Sequence, residues 1–242
     1  MGMFLAMSGV RSADIARIRQ ALESFAEAKG GLFEMRSGST DDDGIGAIRS
    51  NARTTTLLYP QDFYSWDEYS AHLSRALQTP VFSFHIHDGD FWMFIAYRDG
   101  QEVARFNPIP EYWKPLDIAE MEHWSGDAEA VAALIPGLSA ANIQNYFKRW
   151  TEDESWAGRK AYPDDKFEFG EDWQLTDFMR RLGFEYPLDD SGNAKGDTFY
   201  LTEKRHRSQP NGPPSAPTDS HAKPPSRHSS PDPKAKPWWK FW

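Results

Sequence analysis

Between Pro80 and Trp113 the chain reads PVFSFHIHDGDFWMFIAYRDGQEVARFNPIPEYW, where runs of β-branched and aromatic residues are broken by Asp88-Gly89 and Asp99-Gly100. Asp-Gly between such runs is the strongest short-range hairpin signal, because a two-residue turn of the right twist needs positive φ at both central positions. The segment predicts a three-stranded antiparallel meander over about 81–106. Two-residue turns would pair Ile86 with Phe91, Phe84 with Met93 and Phe82 with Ile95, then Ile95 with Ala104 and Met93 with Phe106. Side chains alternate along a strand and cross-strand partners share a face. One face is then the apolar core side, and the other carries Ser83, His85, His87, Asp90, Trp92, Phe94, Arg105 and Asn107. A slip of one residue in either turn would exchange the two faces.

Helical spacing governs most of the remainder. Ile15, Ile18, Leu22 and Phe25 form a stripe after Ser12 as N-cap, with Gly30-Gly31 as the stop. Ser65 and Glu68 form a capping-box pattern ahead of Trp66, Tyr69, Leu73, Ala76 and Leu77. Short strands are expected at Leu32 to Met35 and Thr54 to Tyr59, and an exposed acidic loop at Ser37 to Gly46. Its three aspartates lack the alternating ligands and distal glutamate of a calcium loop. After the Pro-punctuated segment NPIPEYWKP, helices are expected over Asp117 to Trp124, Asp127 to Ile135, Ser139 to Trp150 and Asp172 to Leu182. The order predicts an α+β fold: an antiparallel sheet centred on the meander, helices on one face, and a helical second half. The organisation reads as an N-terminal extension (1–11), one α+β domain (12–202), a Pro-, Ser- and Lys-rich disordered linker (203–237) and an aromatic anchor (238–242).

Charge sharpens that division. From Glu203 onward eight basic residues stand against three acidic ones, so this tail carries about +5 and the rest about −14 of the formal −9. An acidic body argues against nucleic acid as its partner, since phosphate binding needs a basic surface. The chain has no cysteine, which removes disulfides and thiolate metal sites. The opening MGMFLAM lacks the basic region and full-length apolar core of a signal peptide, and no run approaches a membrane span. A cytoplasmic location is the expectation.

The sharpest chemical candidate is His85-Ile86-His87-Asp88-Gly89-Asp90. Two histidines at i and i+2 on a strand share a face, and a carboxylate from Asp88 or Asp90 would complete a ligand set for zinc or another divalent ion. The ordinary explanation is that His87 pairs with Asp90 across the hairpin, His85 packs on Trp92, and Asp88 serves the turn. Ser83 shares the face of His85, but no G-x-S-x-G occurs, and GxxxxGK[ST] is also absent. Ser83, His85, Trp92 and Arg105 are therefore the candidate face for any ligand.

The end, PKAKPWWKFW, interleaves Trp238, Trp239, Phe241 and Trp242 with lysines. Exposed rings are unfavourable in water, so a partner, a lipid surface or the acidic body should cover them. A protein partner or the body itself is favoured, because the patch is short and few charges assist a membrane contact. The strings HIHDGDFWMF, RFNPIPEYW, NIQNYFKRW, KAYPDDKF and DWQLTDFMRRLG together resemble a family of uncharacterised soluble bacterial proteins, across roughly Ile15 to Pro187. The resemblance implies a soluble single domain and transfers no activity to any residue. The expectation is a binding or interaction protein with no resident cofactor, in an immunity or regulatory role. A divalent-metal hydrolase built on His85, His87 and Asp88 or Asp90 is the alternative.

Overall fold

The computed structural model describes residues 3–61, 63–150 and 158–203. The expected linker and aromatic anchor, from Lys204 onward, lie outside the described residues. In chain order the elements are β1 (Leu5–Val10), α1 (Ile15–Ala28), β2 (Leu32–Met35), β3 (Ile45–Ser50), β4 (Thr55–Leu58), α2 (Trp66–Leu77), β5 (Val81–His87), β6 (Phe91–Arg98), β7 (Gln101–Phe106), α3 (Ile118–His123), α4 (Ala128–Ala133), α5 (Gln174–Arg181) and β8 (Asp197–Thr202). The strands form one antiparallel sheet in the order β2-β8-β3-β4-β1-β5-β6-β7, and the fold is α+β.

Helices cover both faces of this sheet rather than one. Ile18 and Leu22 of α1, with Leu73 and Leu77 of α2, pack among Val10, Leu57, Val81 and Leu201. On the other face Phe178 and Met179 of α5 and Val131 of α4 join Met7, Phe84, Trp92, Phe94 and Phe106. Strands buried on both sides read as nearly continuous apolar runs, which is what FSFHI and FWMFIAY are. Each fully buried aromatic or branched side chain there contributes roughly 1.5–3 kcal/mol.

The domain begins earlier than the sequence pattern suggested. Leu5–Val10, expected to be an extension, lies inside the sheet and pairs with β4 and β5. Its alternation is short: Ala6 and Val10 face α1 and α2, while Met7 joins the opposite core. Gly9 marks the crowding, since a Cβ there would stand 2.7 Å from the Phe84 ring and 3.0 Å from that of Phe184.

The meander forms, with a different register. Asp99 and Gly100 make the expected turn at φ 52° and 76°, with Arg98 opposite Gln101. Asp88 and Gly89 also adopt positive φ, and the Asp90 N–H donates to His87 O at 2.9 Å. Asp90 is then an extra residue, so the ladder resumes with His87 opposite Phe91 and Phe84 opposite Phe94. A second irregularity, between Ala96 and Tyr97, sets Ala96 opposite Ala104 and Phe94 opposite Phe106. One inserted residue exchanges the faces of a strand. The exchange gathers Trp92 and Phe94 with Phe82, Phe84 and Phe106 in one core, leaving the smaller Met93 and Ile95 toward α2.

Cap chemistry places the helix ends. Asp14, not Ser12, caps α1, accepting from the Arg17 N–H at 3.1 Å. Asp117 and Glu120 form a capping box on α3. Ser65 stands at the N-cap position of α2 as expected, but its side chain makes no capping hydrogen bond and its hydroxyl donates instead to Glu203 Oε2 at 2.6 Å. The helix expected over Ser139 to Trp150 is two single 3-10 turns, Ala140–Asn142 and Gln144–Tyr146, which still bury Ile143 and Tyr146.

Candidate functional site

The β5–β6 turn collects the chemistry singled out by sequence, together with groups from two other parts of the chain. Gly89 N–H donates to Met3 O at 2.9 Å, which brings the segment before β1 against the turn. Phe4 then lies edge-on to His87 at 5.0 Å. From the segment after β7, Trp113 stands 4.8 Å and Tyr112 5.7 Å from the same imidazole, and Phe91 completes the ring at 5.5 Å. Asp90 accepts from the Tyr112 hydroxyl, so the expected His87–Asp90 pair is replaced by Tyr112–Asp90. That hydrogen bond is the main reason the Tyr112 pKa is pushed up to about 12.

His85 lies one step inward. Its ring stacks on Trp66 of α2 at 4.6 Å and 5° rather than on Trp92, and its Nε2 is 3.4 Å from His87 Nδ1. Burial first, and then the neighbouring His87, lower the His85 pKa to about 3. Burial also lowers His87, against the opposing pull of Asp88 and Asp90. Both imidazoles are neutral at pH 7. Among the described residues no group of three or more His, Asp or Glu side chains is arranged to hold a metal ion. The two nitrogens that face each other therefore lack the carboxylate that the zinc reading gave them.

The rest of the candidate face disperses. Trp92 points into the opposite core, fully buried, with its indole N–H on Gln174 Oε1 at 3.2 Å. The inserted Asp90 is the cause. Ser83 is buried beneath α2, and among the described residues no hydrogen bond joins it to His85. Arg105 does share its row with Ser83 through Ile95, but it is paired with Glu102 and lies 4.7 Å over the Trp124 ring.

A second polar cluster is fully committed to structure. Asp165 Oδ1 accepts from the Tyr146 hydroxyl at 2.7 Å, Arg181 Nη2 at 2.9 Å and Arg180 Nη2 at 3.1 Å, and Oδ2 accepts from the Tyr162 N–H at 3.0 Å. Asp177 Oδ2 accepts from the backbone N–H groups of Lys166 and Phe167, each at 2.8 Å. The strings KAYPDDKF and DWQLTDFMRRLG are thus two halves of one buried network. Burial works against the Arg181 charge, but Tyr146, Asp165 and Asp164 hold its pKa above the ordinary value.

Phe4, Trp66, Tyr112 and Trp113 are the members of the hairpin site that sequence reasoning missed. The aromatic EYW after a Pro-rich segment was the available signal for Tyr112 and Trp113. No family model, curated protein or solved structure matches this chain. Among the described residues no helix is long and apolar enough to cross a membrane.

Proposed function

We propose that the protein acts by binding, without catalysis, and that the aromatic rim of the β5–β6 turn receives an apolar, basic segment of a protein partner. The observation that carries this reading is the exposure of Phe4 at 47% and Tyr112 at 40% beside half-buried His87. Asp88, Asp90 and Glu111 stand at or beside these rings in the chain. Exposed aromatics fringed by charge have the anatomy of an interaction hot spot, with rings as anchors and carboxylates selecting Lys or Arg at the edge. The neutral imidazole of His87, held between rings, adds apolar area rather than charge.

The Trp238, Trp239, Phe241 and Trp242 segment has the chemistry complementary to this rim and is proposed as a docking peptide competing for it. A regulatory role, in which the tail and a partner exchange on one surface, follows from that complementarity. The test is a fluorescence titration of labelled peptide PKAKPWWKFW against the full chain, Tyr112→Ala, Phe4→Ala and a chain ending at Asp232. Tenfold or weaker binding is expected for Tyr112→Ala, on the order of one hot-spot contact. The shortened chain should bind more tightly than the full one. Equal affinity across all four proteins would overturn the proposal.

A further inference from the structure

At the end of β1 remote from the aromatic rim, an open cavity of about 470 Å³ lies between the end of that strand, the β3–β4 turn, the Pro136-Gly137 turn and the C-terminal end of α5. Arg11, Arg53 and Arg181 line it with one carboxylate, Glu185. Glu185 accepts from Arg49 at 3.1 Å, and Arg181 is committed to Asp164 and Asp165. Arg11 and Arg53 have no ion-pair partner among the described residues.

Part of this arrangement serves the fold. Arg11 Nη1 donates to Leu182 O at 3.2 Å, and Gly183 O accepts from Thr54 Oγ1 at 2.8 Å and Asn51 Nδ2 at 3.2 Å. These donors supply the carbonyls that the end of α5 leaves unpaired. They account for one of the five N–H groups of Arg11 and for none of those on the Arg53 side chain. Arg53 is exposed, and among the described residues only its backbone N–H is used, donating to Asn51 Oδ1 at 2.9 Å. Burial, and then the charge of Arg53, lower the Arg11 pKa from its ordinary value. Two guanidinium groups lining one cavity, with no carboxylate paired to either among the described residues, repel each other, in a body whose formal charge is about −14 before Glu203. A bound anion would reverse that repulsion.

We propose that Arg11 and Arg53 bind the phosphate of a small phosphate ester, whose apolar part lies along Pro136 and Leu138 of the same cavity. Guanidinium groups engage phosphate oxygens through paired N–H donors, and two of them approaching one anion give both charge and orientation. The apolar wall selects an ester over the free ion. This site is separate from the aromatic rim and stands or falls independently of it.

The experiment is calorimetric titration of the full chain with inorganic phosphate and with phenyl phosphate, each against sodium chloride of matched ionic strength. Phenyl phosphate is expected to bind more tightly than inorganic phosphate. Arg53→Ala should weaken both by about tenfold or more, as expected for loss of a charged hydrogen-bond donor. Its unfolding midpoint without ligand should equal that of the parent, because its side chain holds nothing in the fold. Arg11→Lys, which keeps a donor for Leu182 O, should also weaken binding. Identical affinities for the parent and Arg53→Ala, or a chloride control that reproduces the heat, would overturn the assignment.

Discussion

Replacing Asp165 by alanine removes the acceptor on which Tyr146, Arg180 and Arg181 converge. The Asp165 side chain is 0% exposed, that of Arg181 15% and that of Arg180 51%. The loss therefore falls mainly on Arg181 and the Tyr146 hydroxyl, which stay in a dry environment with one partner fewer. Breaking a buried pair from one side costs about 3–5 kcal/mol. Each kcal/mol shifts the midpoint of a domain of this size by about 2–4 °C, so thermal unfolding should fall by roughly 6–20 °C. Urea denaturation followed by tryptophan fluorescence measures the free energy, provided the slope with denaturant is unchanged. Asp164→Ala is the internal comparison. It touches the same two arginines from a side chain that is 62% exposed, where solvent screens the pairs, and should cost far less than Asp165→Ala. If Asp165→Ala unfolds within 1 kcal/mol of the parent, or if the two alanine variants are equal, the network does not hold the loop to α5.

Three other outcomes follow from the same structure. His85, with its folded pKa near 3 and an unfolded value near 6.5, binds a proton more readily when unfolded. Stability should accordingly fall as pH drops from 6.5 toward 3, with a slope of at most about 1.4 kcal/mol per unit from this group. His85→Phe should flatten the profile between pH 6 and 4.5, and a profile unchanged by the substitution would show that the imidazole is not the titrating group. Gly9→Ala should destabilise by about 1–3 kcal/mol through its contact with Phe84 and Phe184, as measured by the urea midpoint. Deleting Asp90 should turn the β5–β6 connection into a two-residue hairpin and swing Trp92 out of the core it shares with Phe178, lowering the urea midpoint; an unchanged midpoint would contradict the assigned bulge.

Local chemistry made much of the architecture readable. The meander, the stripes of α1, α2 and α5 and the spans of α3 and α4 all depend on residues within a turn or two of one another. The missing parts depend on distant residues. Nothing near Asp90 distinguishes a two-residue turn from the same turn followed by an inserted residue; the choice is made by Phe178 and Phe106, which offer Trp92 and Phe94 a better-filled face. LAMSGV looks unremarkable alone because Gly9 and Ser8 interrupt its apolar run, and both are explained only by Phe84 and by the Tyr59 and Ser70 hydroxyls, each 2.6 Å from Ser8 Oγ. IGAIRS and DTFYLT become strands by pairing with each other as well as with β4 and β2. Of the candidate site, the two histidines and the turn were legible. Phe4, Trp66, Tyr112 and Trp113 were not, because they come from the segment before β1, from α2 and from the segment after β7.

The position of β8 sets the order in which the domain can be completed. Among the described residues it alone connects edge strand β2 to the rest of the sheet, and it is the last strand before Glu203. A ribosome that has delivered everything through α5 has therefore made a chain with β2 unpaired and one side of β3 open to any passing strand. Productive closure must wait for a segment from the opposite end of the domain sequence, the kind of distant encounter that slows folding and favours clumping. Cells that make this protein quickly should see it accumulate in inclusion bodies, and slowing synthesis should return it to the soluble fraction.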